Sequence, residues 1–260
     1  MDFSPVAKQL MTYVIFFLIP AAILIGILKS PWVKGLTGEF IVNVLGKFLL
    51  DKNDYHIVKN VTLPTENGTT QIDHVIVSAY GVFVVETKNI KGWIFGNSHD
   101  AMWTQKIFKH SGKFQNPLHQ NYKHVKTLQK LLNLKDEQIH SLVVFVGDST
   151  FKTPMPENVT YGYGYIRYIK SKTRRVLSSS EVTEIIKKIG SGRLVPSFKT
   201  HREHVANVQK IKSDKQNAVI CSDCGAKMVL RTAKKGQAAG EKFWGCSAYP
   251  KCTATKPYSE

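Results

Sequence analysis

The sequence has few acidic residues, few cysteines and no internal repeat. Its 260 residues include 19 Asp and Glu against 36 Lys and Arg, which gives a net charge of +17. An excess of this size favours a polyanionic partner, either nucleic acid or an acidic lipid surface. All four cysteines follow residue 220, whereas a secreted disulfide scaffold would spread them through the fold. The clustered thiols instead indicate a metal site in a reducing compartment.

Charged side chains are also missing from residues 10–28. A helix of these 19 residues would span about 28 Å, enough to cross a bilayer core. A cleaved signal peptide is disfavoured, because no small-x-small cleavage site follows the run. Lysines 29, 34 and 47 follow it, so the positive-inside rule places the C-terminal part in the cytoplasm. We therefore expect one N-terminal transmembrane helix and a single-pass protein of the cell membrane.

The rest of the chain has the composition of a folded protein. Hydrophobic residues make up 43% and charged residues 21%, which excludes wholesale disorder, collagen and a multispanning membrane protein. The length allows one full-sized domain with small attachments. We divide the chain into an anchor (1–29), a main domain (30–190), a basic linker (191–218) and a cysteine-containing tail (219–260).

Apolar periodicity in the main domain predicts a mixed α/β fold. Three strands and a short fourth one are expected between two helices, and a continuously apolar strand follows the second helix. This order implies an α/β sandwich with a mixed sheet. The predicted elements are a helix from Thr37 with an apolar stripe of Phe40, Val44 and Phe48 beside Ile41, Leu45 and Leu49, strands at 55–63, 71–78, 82–88 and 93–95, a helix from Asn116-Pro117, strands at 142–146 and 163–169, and a helix from the capping box Ser178-x-x-Glu181 to Ile189.

The hairpin between residues 71 and 88 carries two acids and a lysine. If Ala79 and Tyr80 form its loop, Asp73 lies directly opposite Glu86. The two-residue period of a strand places Lys88 on the same face as Glu86. Both faces are apolar, so two unpaired carboxylates there would repel each other and resist burial.

A divalent cation would remove that cost, and hard oxygen ligands suit Mg²⁺ or Mn²⁺. Lys88 could then orient or deprotonate a water that attacks phosphorus, or stabilise the developing charge. The alternative is a structural salt bridge between Lys88 and the two acids at the end of a strand.

Asp73, twelve intervening residues and then Glu86-Thr87-Lys88 resemble the metal-dependent PD-(D/E)xK nuclease motif. More specifically, residues 34–150 resemble the nuclease-related domain family, NERD, which implies a restriction-endonuclease-like mixed-sheet core. The resemblance rests on Gly38-Glu39, Ile72-Asp73-His74, Gly81-Val-Phe-Val-Val-Glu86-Thr-Lys88-Asn89, Gly92-Trp93, Trp103 and Asn116-Pro-Leu-His-Gln120.

This resemblance implies a role for each site residue. Asp73 and Glu86 would be metal ligands, with the Thr87 carbonyl as a third ligand, and Lys88 would be the catalytic lysine. Gln120 would reach the scissile phosphate or a metal-bound water, although an ordinary exposed glutamine fits this helix start as well. Glu39 is a further candidate, but the helix dipole also explains an acid in a first turn.

The tail contains Cys221-x-x-Cys224 and Cys246-x₅-Cys252, separated by 21 residues. This spacing predicts a tetrahedral Cys₄ zinc site, with two disulfides as the alternative. About forty residues cannot bury enough core alone, so zinc binding would supply the folding free energy.

The tail resembles the four-cysteine zinc finger of bacterial type I topoisomerases, on Cys221-x-x-Cys224-Gly-x-x-Met-Val-Leu-Arg231 and Phe243-Trp-Gly-Cys246-Ser-x-Tyr-Pro-Lys-Cys252. The resemblance implies binding of single-stranded DNA. Aromatic rings would stack on bases and basic side chains would contact phosphates, although the aromatic residues could instead pack around the zinc. The candidates are Arg231, Lys234, Lys235, Trp244, Tyr249 and Lys251.

Together these features predict a membrane-anchored nuclease. It would hydrolyse phosphodiester bonds with Mg²⁺ or Mn²⁺, while the zinc ribbon holds the DNA. The main alternative is a non-catalytic, membrane-tethered DNA-binding protein with a silent nuclease fold. A scaffold on anionic lipids and a redox protein that uses Cys221 and Cys224 are further alternatives. The sequence leaves open DNA or RNA, strandedness, cleavage mode and oligomeric state.

Overall fold

The computed structural model describes residues 4–65, 68–195, 219–233 and 240–258, together with residues 202, 205, 206 and 209. The chain forms two compact units, Met1–Thr200 and His201–Glu260. Most of the predicted linker lies outside the described residues, and helix α6 of the first unit extends to Gly192.

The first unit begins with helices. Helix α1 (Ser4–Tyr13) and α2 (Ile19–Lys29) are separated by a π-helical turn (Val14–Leu18), which divides the apolar run of residues 10–28 between short elements. In the described part of the chain, no helix is both long and apolar enough to cross a membrane. The predicted transmembrane helix is therefore not found.

The remaining α-helices and strands of this unit follow in the chain after α2. They are α3 (Pro31–Leu49), β1 (Tyr55–Thr65), β2 (Gly68–Ser78), β3 (Gly81–Lys88), β4 (Gly92–Phe95), β5 (Met102–Ile107), β6 (His110–Gln115), α4 (Pro117–Leu132), β7 (Ile139–Phe145), β8 (Ser149–Phe151), β9 (Val159–Tyr161), α5 (Gly164–Ser171) and α6 (Ser179–Gly192).

A five-stranded mixed sheet in the order β1-β2-β3-β7-β9 forms the centre of this unit. Strands β1, β2 and β3 form an antiparallel meander, whereas β3, β7 and β9 are parallel. Residues of α4 and α6 pack on one face through Val75, Val77, Val82 and Val84, and residues of α3 and α5 pack on the other. The predicted α/β sandwich with a mixed sheet is confirmed.

A second sheet, in the order β6-β5-β4-β8, was not predicted beyond β4. Trp103 on β5 is fully buried and stacks on Phe145 of the central sheet, with ring centroids 6.2 Å apart. Three of its strands, β4, β5 and β6, lie between β3 and α4 in the chain, so they connect two elements that carry candidate site residues.

Two local predictions were wrong. Residues 163–169 were expected as a strand, but Tyr163 is the N-cap of α5 and residues 164–169 belong to this helix, because Tyr165, Ile166 and Ile169 have helical spacing and all three are buried. The interaction that fixes this helix is a 2.6 Å hydrogen bond from the Tyr165 hydroxyl to the carbonyl of Val42 on α3.

Helix α3 also differs from its prediction. It begins at Pro31 rather than near Thr37, with Ser30 as its N-cap. Two residues of the expected apolar stripe, Phe40 and Phe48, are 66% and 83% exposed. Val42 is buried instead. Gly38 and Gly46, one helical turn before and after it, allow α3 to pack closely: a Cβ added at Gly46 would lie 2.9 Å from Ile57 Cδ1.

The second unit contains a small antiparallel sheet. It consists of β10 (Met228–Thr232), β11 (Lys242–Cys246) and β12 (Thr255–Pro257), with β11 in the middle. Its apolar cluster includes Met228, Cys221 and Cys246, against which Trp244 packs. The cysteines therefore form much of the centre of this unit.

Candidate active site and zinc centre

The β2–β3 hairpin has the register expected from its sequence. Ala79 and Tyr80 form the turn, and the paired residues run from Ser78–Gly81 to His74–Val85. Asp73 and Glu86 follow this last pair on their respective strands. The backbone N–H of Thr87 donates a 2.7 Å hydrogen bond to Oδ2 of Asp73, which ties the two strands together at this point.

Lys88 connects two candidate residues that lie on different elements. Its Nζ donates to Oε1 of Glu86 at 2.6 Å and to Oε1 of Gln120 on α4 at 2.9 Å. Glu86 is 3% exposed, while Lys88 and Gln120 are partly buried. The structure thus brings together the lysine, one acid and the glutamine singled out from the sequence.

His124 is a neighbour of Glu86 that the sequence reasoning missed. Its Nε2 lies 3.2 Å from Oε2 of Glu86, and its Nδ1 lies 2.7 Å from the hydroxyl of Thr70 on β2. His124 follows Gln120 by one helical turn, so both residues share a face of α4. That four-residue spacing was the available signal, although a single histidine on an apolar helix face is usually a core residue.

The pKa values of the three acids shift in different directions. Burial raises the pKa of Asp73 well above its usual range, and repulsion by Glu86 and Glu39 adds to the effect. Burial also raises the pKa of Glu39, with a further contribution from Glu86. Burial would raise the pKa of Glu86 as well, but Lys88 and His124 outweigh it and the net shift is downward. The pKa of Glu86 is therefore shifted in the opposite direction to the pKa values of Asp73 and Glu39.

Helix α3 places Glu39 near this cluster by a close approach of its backbone. A Cβ added at Gly38 would lie 2.9 Å from Cβ of Asn89 and 3.4 Å from Cγ2 of Thr87. The Asn89 side chain donates a 3.0 Å hydrogen bond to the Thr37 hydroxyl. These contacts hold the half-buried Glu39 beside the end of β3.

Two buried asparagines position α4 against the sheets. Asn116 caps the helix by accepting from the N–H of Leu118 at 2.9 Å, and its amide donates to the carbonyl of Asp100 at 2.7 Å. The amide of Asn121 donates to the carbonyl of Val84 at 2.9 Å. Because Gln120 lies between these two anchors, its reach to Lys88 is fixed by the fold.

Asp73 and Glu86 repel each other, and a divalent metal ion between them would remove this repulsion. Asp73 and Glu86 supply carboxylate oxygens, which are the ligands that Mg²⁺ and Mn²⁺ prefer. Oε2 of Glu86 is buried without a well-directed hydrogen bond among the described residues. A cation would neutralise the repulsion that raises the pKa of Asp73. The Thr87 carbonyl stays a predicted ligand.

The four cysteines converge in the second unit. Their Sγ atoms all lie within 4.8 Å of one another, with 3.7 Å between Cys221 and Cys252 and 3.4 Å between Cys224 and Cys246. Zinc–sulfur bonds of about 2.3 Å in a tetrahedron place sulfurs about 3.8 Å apart. The cysteines are not disulfide-bonded, so they form the predicted zinc-binding cluster.

Local backbone geometry prepares the first cysteine for metal. The backbone N–H groups of Cys224 and then Asp223 lower the pKa of the Cys221 thiol to about 7. This favours the thiolate that zinc requires.

The predicted DNA contacts of the zinc unit fall into three groups. Tyr249 is 62% exposed, and the guanidinium carbon of Arg231 lies 5.7 Å from the centre of its ring. Lys251 is also exposed, whereas Trp244 is half-buried against the cysteine cluster. Lys234 and Lys235 lie outside the described residues.

Two parts of the chain match known protein families. Residues 34–146 match the nuclease-related domain, and residues 218–260 match the topoisomerase DNA-binding C4 zinc finger. The chain therefore contains both domains, which confirms the two resemblances.

One relative of this chain is an uncharacterised protein of Bacillus anthracis. The two are 49% identical over 129 residues, which are 47% of this chain and 60% of that protein. The chain thus spans less than two thirds of this relative's length. No solved structure matches the chain.

Proposed function

We propose that this protein is a divalent-metal-dependent nuclease that hydrolyses phosphodiester bonds, with DNA as its substrate. The observation that carries the proposal is the bridge from Lys88 to Glu86 and Gln120, beside Asp73 on the paired strand. A partly buried lysine between an acid and an amide, at the end of β3 in the part of the chain that matches the nuclease-related domain, is the arrangement expected of a phosphodiester-cleaving site.

In the proposed reaction, water adds to phosphorus and one P–O ester bond breaks. The leaving oxygen takes a proton, and the products are a hydroxyl end and a phosphate monoester end. Asp73 and Glu86 would hold Mg²⁺ or Mn²⁺, which supplies Lewis-acid polarisation of the phosphodiester. The Lys88 ammonium stabilises the negative charge that develops on the phosphate. Gln120 orients Lys88, and its amide can donate to a phosphate oxygen.

The zinc ribbon would act as the binding partner of this site in the same chain. Tyr249 offers an exposed ring for stacking, while Arg231 and Lys251 offer charge for phosphates. A ribbon that holds one strand raises the local concentration of nucleic acid at the nuclease domain.

Metal-dependent cleavage by the full chain tests this function. Zinc-loaded protein is incubated with labelled single- and double-stranded DNA and RNA, with and without added Mg²⁺ or Mn²⁺. The metal is omitted rather than chelated, because a chelator would also remove zinc. We expect cleavage by the parent and a loss of about 10²–10³-fold in Lys88→Ala and Glu86→Gln.

Lys91→Ala is the matched control, because it removes the same charge from an exposed position three residues away. It should cleave like the parent. Binding without metal-dependent cleavage of any substrate would instead support the silent, DNA-tethering alternative.

We also propose that the N-terminal segment attaches the protein to the cell membrane, with the C-terminal part in the cytoplasm. Its apolar side chains are open to solvent: Phe16 and Phe17 are 69% and 63% exposed. Burying them in lipid would remove this apolar surface from water. The full chain should fractionate with membranes and be released by detergent, and a variant without residues 1–29 should be in the soluble fraction. Resistance of the C-terminal part to protease in intact spheroplasts would support its cytoplasmic side.

A further inference from the structure

We propose that His124 is a positioning residue that fixes the carboxylate of Glu86, and that Thr70 in turn orients His124. The expected effect of His124 on metal binding rests on the proposed nuclease function, whereas the contact between His124 and Glu86 does not. His124 is 5% exposed and Thr70 is 7% exposed, so both are shielded from water. Neither residue belongs to the sequence motif that predicted the site.

The relay consists of three side chains from three elements. The hydroxyl of Thr70 on β2 lies 2.7 Å from Nδ1 of His124 on α4. The other ring nitrogen, Nε2, lies 3.2 Å from Oε2 of Glu86 on β3. Thr70 precedes Asp73 by three residues and His124 follows Gln120 by four, so β2 and α4 each supply two residues to this region.

The burial of the two facing atoms indicates that they are partners. Nε2 of His124 and Oε2 of Glu86 are both buried, and neither forms a well-directed hydrogen bond to another described residue. Leaving two buried polar atoms unpaired is costly, and here the two atoms face each other within reach.

Glu86 decides where the proton of His124 must be. A carboxylate only accepts hydrogen bonds, so the attraction requires a proton on Nε2. The Thr70 hydroxyl can donate to Nδ1, and this direction leaves the proton of a neutral ring on Nε2. A second-shell partner of this kind fixes the orientation of the ring.

With this contact, each oxygen of Glu86 faces a different donor. Lys88 binds Oε1 at 2.6 Å, and His124 faces Oε2. A carboxylate held at both oxygens cannot rotate about its terminal torsion, and each oxygen still has a lone pair for a metal. Loss of such a partner weakens metal affinity by about 10–100-fold.

The first test observes the proton directly in zinc-loaded, full-length protein without added Mg²⁺ or Mn²⁺. ¹⁵N-histidine labelling and long-range nitrogen–proton spectra report which ring nitrogen carries the proton, and His124→Gln assigns the resonance among the nine histidines. We expect a proton on Nε2 and a shift of this resonance in Glu86→Gln. Glu184→Gln, at an exposed position of α6, should leave it unchanged. A bare Nε2, or no response to Glu86→Gln, would overturn the proposal.

The second test measures Mn²⁺ binding by electron paramagnetic resonance, without nucleic acid, in zinc-loaded protein. His124→Ala should bind Mn²⁺ about 10–100-fold more weakly than the parent. His124→Gln should be closer to the parent than His124→Asn, because only the glutamine amide reaches the position of Nε2. Thr70→Val should weaken binding and Thr70→Ser should restore it.

His74→Ala is the control for loss of a buried histidine. His74 lies on β2 but pairs with Val85, which packs on the opposite face of the sheet. Its loss should lower the melting temperature without changing Mn²⁺ affinity. Equal affinity in the parent and His124→Ala would overturn the positioning role. If the parent itself binds no Mn²⁺, the proposed function fails, and the proton position decides the relay alone.

Discussion

Lys88 and Glu86 lie two residues apart on β3 and are joined by a 2.6 Å hydrogen bond between Nζ and Oε1. Both side chains point to the face of the central sheet that α4 covers, where Gln120 and His124 complete the surroundings. The contact keeps Glu86 ionised and sets the position of the ammonium group. On the paired strand, the pKa of Asp73 is instead raised by burial and by repulsion from Glu86.

Asp73→Asn should stabilise the metal-free protein at neutral pH. The folded-state pKa of Asp73 is raised above its usual value of 3.8, so the native protein binds a proton that the unfolded chain has lost. Stability therefore falls as the pH rises from about 3.8 through the raised pKa, and the full penalty is present above it. A relief of about 1 kcal/mol would raise the Tm by about 2–4 °C.

Thermal melts over a pH series check this prediction. The advantage of Asp73→Asn over the parent should grow as the pH rises and then level off, while Asp148→Asn, at an exposed position, should show no such trend. Added Mg²⁺ should raise the Tm of the parent but not that of Asp73→Asn, since binding to the native state alone is stabilising. A pH-independent difference would contradict the raised pKa.

Gly38→Ala should lower both stability and cleavage activity, although Gly38 has no side chain in the site. The new Cβ would lie 2.9 Å from Cβ of Asn89 and 3.1 Å from Cγ2 of Val146, so α3 must move away from the end of β3. We expect a destabilisation of about 1–3 kcal/mol, typical of overpacking, and a loss of cleavage activity. Chemical denaturation and the cleavage assay measure the two effects.

Gly35→Ala is the matched control on the same helix. Nothing lies within 4 Å of its added Cβ, so the higher helix propensity of alanine should stabilise the protein by up to about 1 kcal/mol. Equal behaviour of the two variants would show that α3 does not need this close approach.

The features that could be predicted from the sequence are those set by neighbouring residues, whereas features set by the tertiary fold could not. The register of Asp73 and Glu86 depends on a two-residue turn and the strand period, and both can be read from the sequence. Residues 161–165 alternate tyrosine and glycine, which imitates a strand although the last two belong to α5. The second sheet consists of short strands whose stability comes from packing of Trp103 against Phe145. His124 joins the site only through the tertiary fold, so no sequence motif could single it out.

Cys252→Ser should abolish stoichiometric zinc binding without unfolding the nuclease-related domain. The four sulfurs supply the ligand set, and a small unit of this kind depends on its metal for folding. Because residues 1–200 form a separate compact unit, the main thermal transition should be unchanged. Zinc analysis by mass spectrometry and a thermal melt measure both outcomes. Ser247→Ala, at an exposed position between the last two cysteines, should retain zinc, and full zinc content in Cys252→Ser would refute the four-thiolate site.

Tyr249 and Trp244 should have different roles in the zinc unit, although both are aromatic. Tyr249 is 62% exposed beside Arg231, so Tyr249→Ala should weaken binding of single-stranded DNA by about 1–3 kcal/mol while zinc is retained. Tyr249→Phe keeps the ring and should bind like the parent.

Trp244 packs against the cysteine cluster, so Trp244→Ala should lower zinc retention first and DNA binding only as a result. Arg231→Gln should reduce the salt dependence of binding by about one phosphate contact. Fluorescence anisotropy at several salt concentrations, combined with zinc analysis, separates these effects, and unchanged affinity in Tyr249→Ala would exclude stacking on this ring.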